Sequence, residues 1–192
     1  MSTYLFLIPL LLGFASNAAS AFTTAFSKRW GERRGSLLTV ILRDVLGIPV
    51  WAIGLGLAFH ATSPALFAST PAVGIVGWLT ICAGGVIIII ALLSIRVRAA
   101  APSTQDTLVQ RGLYARVRHP IHSGTLLEFL GLFILKPTFT VAVACLLGVI
   151  WVLVQTRLEE FDLLQRLPGY REYMRQVPCF LPRLGANKSI QV

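Results

Sequence analysis

Apolar and polar positions alternate along this chain in long blocks, not in single steps. Five apolar segments stand out, at residues 5–26, 37–60, 73–95, 121–135 and 138–155. A helix rising about 1.5 Å per residue needs roughly 20 residues to cross a hydrocarbon core of about 30 Å. The first three segments meet that length, and the third is the most apolar, with Val86-Ile87-Ile88-Ile89-Ile90 at its centre. The last two are shorter and are separated only by Lys136-Pro137, which predicts a tight helical hairpin. The fourth crosses only if the bilayer thins or its helix extends past those bounds. The pattern predicts an all-α polytopic membrane bundle of about five transmembrane helices. One domain fills residues 1–192, with three N-terminal spans to residue 98 and a polar-rimmed core over 99–192.

Composition agrees with this picture. Hydrophobic residues make up 55% of the 192, charged residues only 13%, whereas soluble domains carry nearer a quarter charged. A formal net charge of +9 would suit a nucleic-acid partner, but the basic residues lie between apolar spans and form no soluble domain. Their placement sets orientation instead. Lys28, Arg29, Arg33 and Arg34 follow the first segment, and Arg96, Arg98, Arg111, Arg116 and Arg118 follow the third. Arg157, Arg166, Arg171, Arg175, Arg183 and Lys188 come after the fifth. The opposite connections hold Lys136 alone. The N-terminus is therefore expected outside and the C-terminal tail in the cytoplasm. The first segment lacks a basic lead-in and reads as a span, not as a cleaved signal. Cys82, Cys145 and Cys179 lack metal-ligand spacing and read as small apolar residues or lone thiols.

Candidate chemistry concentrates on the cytoplasmic side. The run from Leu108-Val109 through Gly112-Leu113-Tyr114 to Arg118-His119-Pro120 packs arginines, a tyrosine and a histidine against the fourth segment. Proline suits the first helical position, which would set Arg118 and His119 at a helix N-terminus, a natural place for an anionic group. Interfacial anchoring by snorkelling accounts equally well for these residues alone. Glu159-Glu160, preceded by Arg157, opens the expected cytoplasmic tail, and adjacent carboxylates point about 100° apart on a helix. An amphipathic stretch follows, then Pro168-Gly169, and Tyr170 and Tyr173 on one face, read as packing residues in a cap along the membrane. A linker, Ala99-Ala100-Ala101-Pro102-Ser103, precedes the polar run, with Pro102 expected to end a helical extension. Inside the spans, Arg43 and Asp44 lie near the expected cytoplasmic end, where each is expected to pair with other groups. Glu128 is expected to contact substrate or to pair with His122 or an arginine, and His60 to sit at the outer interface.

The order of these features resembles the isoprenylcysteine carboxyl methyltransferase and phospholipid methyltransferase group of integral membrane methyltransferases. It rests on Leu108-Val109, Gly112-Leu113-Tyr114, Arg118-His119-Pro120, Gly124, Glu159-Glu160, Tyr170, Tyr173, Val177-Pro178 and Pro182, covering residues 107–182. His122 stands where that pattern has tyrosine, and Arg166-Leu167 where it often has Phe-Gly. The resemblance implies S-adenosyl-L-methionine as methyl donor at the cytoplasmic face. It implies a donor pocket of Leu108, Val109, Tyr114, Arg118, His119, Pro120, Ile121 and His122, with Glu159 and Glu160 on its polar part. Arg157 is implied to orient the acceptor, with His122 and Glu128 as candidate bases where the acceptor is an amine or phenol. The expected activity is methyl transfer to a lipophilic acceptor drawn from the membrane, most like isoprenylcysteine carboxyl O-methylation. Phospholipid N-methylation is the first alternative. An NADPH-dependent reductase of the sterol-reductase kind and a non-catalytic lipid-binding protein are the others. No metal is expected.

Overall fold

The computed structural model describes residues 4–95, 102–104 and 106–183. Arg96, Arg98, Ala99, Ala100, Ala101 and Lys188, used above for orientation and the linker, lie outside the described residues. The elements are helices: α1 (Leu7–Ala19), α2 (Thr23–Trp30), α3 (Glu32–Val40), α4 (Ile48–His60), α5 (Pro71–Ile95), α6 (Pro120–Leu135), α7 (Phe139–Arg166) and α8 (Tyr170–Gln176). A π-helical turn, Ile41–Gly47, joins α3 to α4, and a 3₁₀ turn covers Gly112–Ala115.

Among the described residues, three helical stretches are long and apolar enough to cross a membrane: Glu32–His60, Pro71–Ile95 and Phe139–Arg166. The helices α1 and α2 pass the same test only together, as one span bent by 64°, and α6 is a shorter apolar helix of 16 residues. The first apolar segment is thus not the unbroken span its composition predicts. Ser20 turns its hydroxyl onto the Asn17 carbonyl at 2.6 Å, and Phe22 leaves helical geometry at φ −88°, ψ 42°. Such local side-chain bonds compete with the helix ladder. The bend tucks Asn17, Ser20, Thr23 and Thr24 inside the protein.

The second departure is the wide turn at Ile41–Gly47. Pro49 cannot donate to a ladder carbonyl and its ring crowds the preceding turn, a strain that a π-helical turn relieves. The third is the length of α7. It runs on through Arg157, Glu159, Glu160 and Asp162 to Arg166, so the acidic pair sits on the last turns of a continuous helix and not in a tail after it. Pro168-Gly169 then stops it, with Gly169 at φ 82°.

Aromatic packing joins four of the helices. Phe14, Trp51, Trp151 and Phe129 join α1, α4, α7 and α6, with Phe14 and Trp151 stacked at 4.7 Å. Helices α5 and α6 meet through glycines, since a Cβ on Gly124 would lie 2.6 Å from the Gly84 carbonyl oxygen. Small residues at such crossings let backbones approach in an apolar medium. Leu12, Leu79, Leu93 and Leu146 point outward and are exposed, as lipid-facing positions should be. At the far end, the Lys136-Pro137 turn is short as predicted. It pairs with the loop after α4 through Leu66 N–H to Pro137 O at 2.7 Å and Phe139 N–H to Pro64 O at 3.0 Å.

Candidate active site

The N-terminus of α6 and the last turns of α7 face each other, because the short hairpin holds the two helices side by side. Pro120 occupies the first helical position of α6, as predicted. The two backbone N–H groups before it are taken by the chain's return: Arg118 N–H donates to Pro178 O at 2.9 Å and His119 N–H to Cys179 O at 3.1 Å. Ser123 Oγ adds a bond to Phe180 O at 2.8 Å. The segment after α8 is therefore strapped across the start of α6.

Arg118 is a clamp. Its guanidinium reaches Glu160 Oε1 through Nε at 3.0 Å and Nη2 at 2.8 Å, while Nη1 donates to the carbonyls of Met174 at 2.9 Å and Val177 at 2.6 Å. Both partners are nearly enclosed, and a buried pair of this kind needs such complete hydrogen bonding to offset desolvation. Glu160 is consumed by this clamp and by His119 Nε2 at 3.3 Å.

Glu159, one residue earlier, turns the other way. Its carboxylate lies 3.7 Å from His119 Nδ1 and 3.6 Å from His122 Nε2, and accepts from Gln155 Nε2 at 2.8 Å. The two imidazoles stack at 5.3 Å between centroids, and His122 Nδ1 lies 2.9 Å from Thr156 Oγ1. Burial pushes the His119 imidazole toward its neutral form. The hydrogen bonds and charges of Glu159 and Glu160 outweigh that, and hold its pKa above the ordinary histidine value. Burial raises the phenols of Tyr114, Tyr170 and Tyr173, and the Cys179 thiol likewise.

These groups form one pole of a cavity of about 340 Å³. Leu108, Val109, Tyr114, Arg118, His119, Ile121, His122 and Glu159 all line it, so eight of the residues singled out in the sequence converge. Tyr170 and Tyr173 line it too, and Tyr173 donates its hydroxyl proton to Tyr114 O at 2.6 Å. Pro120 and Glu160 lie buried behind this wall. Arg157 is not brought to it: its side chain is 81% exposed and touches the clamp only at 3.7 Å from Glu160. Glu128 is not brought to it either, and lies along Gly84 and Gly85 of α5. His122 partners Thr156 and Glu159 instead of Glu128.

Several lining residues escaped the sequence reading. Asn17, Ser20, Thr39, Trp51 and Trp151 reach the cavity from α1, α3, α4 and α7. The indole N–H groups of Trp51 and Trp151 are buried without a partner among the described residues. Gln155 and Thr156 carried a usable signal, since polar residues at 155, 156, 159 and 160 repeat at helical spacing. A second network closes the floor: Arg166 bonds Asp162 at 2.8 Å, Asp106 at 3.0 Å and Ser103 O at 2.7 Å. Asp162 in turn accepts the Thr24 N–H at 2.8 Å, at the N-terminus of α2.

The phospholipid methyltransferase family model matches residues 72–169. That is half of the chain, and it contains α5, the polar run, α6 and α7 with the cavity's acidic pole. This chain belongs to the phospholipid methyltransferase family. Among curated proteins it is similar to the cobalt-zinc-cadmium resistance protein CzcN of Cupriavidus metallidurans, at 37% identity over 83 residues, 42% of this chain and 38% of that protein. It is also similar to the methanethiol S-methyltransferase of Pseudomonas deceptionensis, at 39% identity over 82 residues, 41% of this chain and 30% of that protein. The matched part spans well under half the length of either relative. No solved structure matches the chain. Family membership and the apolar helices together make this an integral membrane protein of a methyltransferase family.

Proposed function

We propose that the protein is an S-adenosyl-L-methionine-dependent methyltransferase acting on a lipophilic acceptor that reaches the cavity from the membrane. The observation that carries this reading is the cavity itself. It gathers Leu108, Val109, Tyr114, His119, His122 and Glu159 from three separate stretches of a family-matched region. The donor fits this lining. About 340 Å³ lies within the usual range of roughly 300–1,000 Å³ for small-molecule sites. Buried, unpartnered indole donors and the Glu159 carboxylate suit an occupant that is partly apolar and partly charged.

When bound, the donor supplies an electrophilic methyl group carried on a sulfonium. Leu108, Val109 and Ile121 would take its base, and Glu159 with His119 the charged end. The Glu159 carboxylate complements positive charge, and in a site walled by Tyr114, Trp51 and Trp151 that attraction is stronger than in water. The same walls exclude water, a requirement of displacement chemistry. Pro120, Arg118 and Glu160 hold the N-terminus of α6 and the strap in register. His122 is the base candidate nearest the cavity for an acceptor that carries a proton.

Five crossings, with α1–α2 as a bent first span and α6 as a short fourth, would put the cavity at the cytoplasmic face and the N-terminus outside. A charged donor then enters from the cytoplasm and a lipophilic acceptor from between helices. A carboxylate acceptor of the isoprenylcysteine kind relied on Arg157, which stands outside the cavity, and a phospholipid amine has equal support from the family. A small thiol is the second reading, favoured by the likeness to a methanethiol S-methyltransferase.

Calorimetry with S-adenosyl-L-methionine on the detergent-solubilised chain tests donor binding. His119→Ala and Glu159→Ala should each weaken it at least tenfold, and His60→Ala should leave it unchanged. Unchanged affinity in the first two variants overturns the pocket. Labelled donor, offered with prenylcysteine, phospholipid and small-thiol acceptors, then separates the acceptor classes.

A further inference from the structure

We infer that His119, His122 and Glu159 form a binding site for a divalent transition-metal ion of the zinc class. Their candidate ligand atoms all lie within 4.8 Å of one another, and both histidines are buried. Proximity alone would be weak. The hydrogen bonds around the two imidazoles add an independent reason.

Thr156 has one hydroxyl proton, and its Oγ1 lies 2.8 Å from Val152 O, a carbonyl that can only accept. Toward His122 Nδ1 at 2.9 Å the Thr156 oxygen must therefore accept, so the His122 proton sits on Nδ1. That leaves the Nε2 lone pair of a neutral His122 aimed at Glu159, 3.6 Å away. His119 repeats the arrangement with the nitrogens exchanged. Its Nε2 donates to the Glu160 carboxylate at 3.3 Å, and its Nδ1 faces Glu159 at 3.7 Å. A cation seated among these three groups would displace the proton that His119 Nδ1 shares with Glu159 and take the His122 Nε2 lone pair and the carboxylate as its other ligands.

Ligating histidines typically donate the second ring N–H to a carboxylate or another acceptor, which fixes the tautomer and aims the free nitrogen. Glu160 and Thr156 supply those outer partners here, and Gln155 orients Glu159. Two imidazole nitrogens and a carboxylate oxygen match the three-ligand sets of zinc sites that keep a position open. Closing to metal–ligand distances of about 2.0–2.2 Å requires only a small inward movement of each group. All three residues line the cavity, so the open position faces whatever occupies it and can take an oxygen, nitrogen or sulfur atom of that occupant. The inference deepens the proposed function, and rests on it only for the occupant: with the ion bound, the donor's own carboxylate would take the open position in place of a direct contact with His119 and Glu159.

The full chain, purified in detergent and stripped of metal, is titrated with Co²⁺ as a spectroscopic probe and then with Zn²⁺ in competition. Visible d–d bands of four- or five-coordinate Co²⁺, at one ion per chain and displaced by Zn²⁺, are the expected result. His119→Ala and His122→Ala should abolish the bands, while Thr156→Val should weaken Co²⁺ binding about 10–100-fold with the fold intact by circular dichroism. His60→Ala should change nothing. Cys179→Ser should also leave the bands in place, which separates this site from the neighbouring group of His119, Glu160 and Cys179. Absence of bands, or bands that survive His122→Ala, overturns the site, with protons then balancing the imidazoles. Donor calorimetry on the metal-free chain keeps the two readings apart. Donor binding without Co²⁺ bands sinks the metal site alone, whereas bands without donor binding sink the methyl-transfer reading and leave the metal site standing.

Discussion

At the residue scale, Glu159 and Glu160 show how neighbours acquire different work. About 100° of helical rotation separates them, and that angle sends one into the Arg118 clamp and the other into the cavity. Arg118→Ala should therefore act mainly on stability. Leaving Glu160 buried without its partner costs about 3–5 kcal/mol, and thermal unfolding in detergent should show a markedly lower midpoint. The tyrosines offer a second check. The phenols of Tyr114, Tyr170 and Tyr173 are raised by burial, above an unfolded value of about 10. Each contributes stability that is fully present below that value and is lost as pH climbs through the folded pKa. In an alkaline absorbance titration these three should stay unionised at about pH 10 and should form tyrosinate only as helical structure is lost. Full ionisation of all four tyrosines near that pH, with the helices intact, would contradict the burial described here.

At the scale of elements, the contact between α5 and α6 rests on glycine. Gly124 falls within the motif that marks the polar run, yet its Cβ position meets the Gly84 backbone and Ile88, not the cavity. Its place in the motif is explained by helix packing: it lets α6 lie close enough to α5 for His119 and His122 to be held in register. Gly124→Leu should force the helices apart and destabilise the protein by about 1–3 kcal/mol, with weakened donor binding as a consequence. Protease resistance together with donor calorimetry reads both effects. Equal loss from an exposed-face change such as Leu93→Ala would argue against a specific packing role. The hairpin of α6 and α7 was legible from Lys136-Pro137 because a turn of that composition between apolar runs permits little else. The bend between α1 and α2 was not legible. No proline or glycine marks it, and the break at Ser20 and Phe22 leaves Asn17 before it and Thr23 and Thr24 after it buried. The length of α7 was missed for a related reason. Charged residues read as the end of a span, but here Glu160 and Asp162 are neutralised by partners distant in sequence, Arg118 and the N-terminus of α2.

At the scale of the whole molecule, orientation follows from where the arginines fall. Cysteines introduced at Ser69, in the loop after α4, and at Arg171, in α8, should label from opposite sides of the membrane. With an outside N-terminus, Ser69→Cys reacts with an impermeant thiol reagent on intact cells, and Arg171→Cys reacts only after permeabilisation. The reverse pattern would invert the topology and move the cavity to the other face.

The sequence by itself determined that this chain is a helical membrane protein, that its polar cluster lies beside α6 and α7, and that its motif order resembles membrane methyltransferases. Those properties are local: apolar run length, the basic bias of loops and the spacing of a motif are each written in consecutive residues. Tertiary structure alone decided which members of the motif face the cavity. It turned Arg118 and Glu160 into a clamp, left Arg157 outside, set Glu128 against α5, and brought Trp51, Asn17 and Trp151 to the wall. The physical reason is that a buried charge takes its role from the partner that neutralises it. In this fold the partners lie tens of residues away, with Arg118 brought from the segment before α6 to Glu160 on α7.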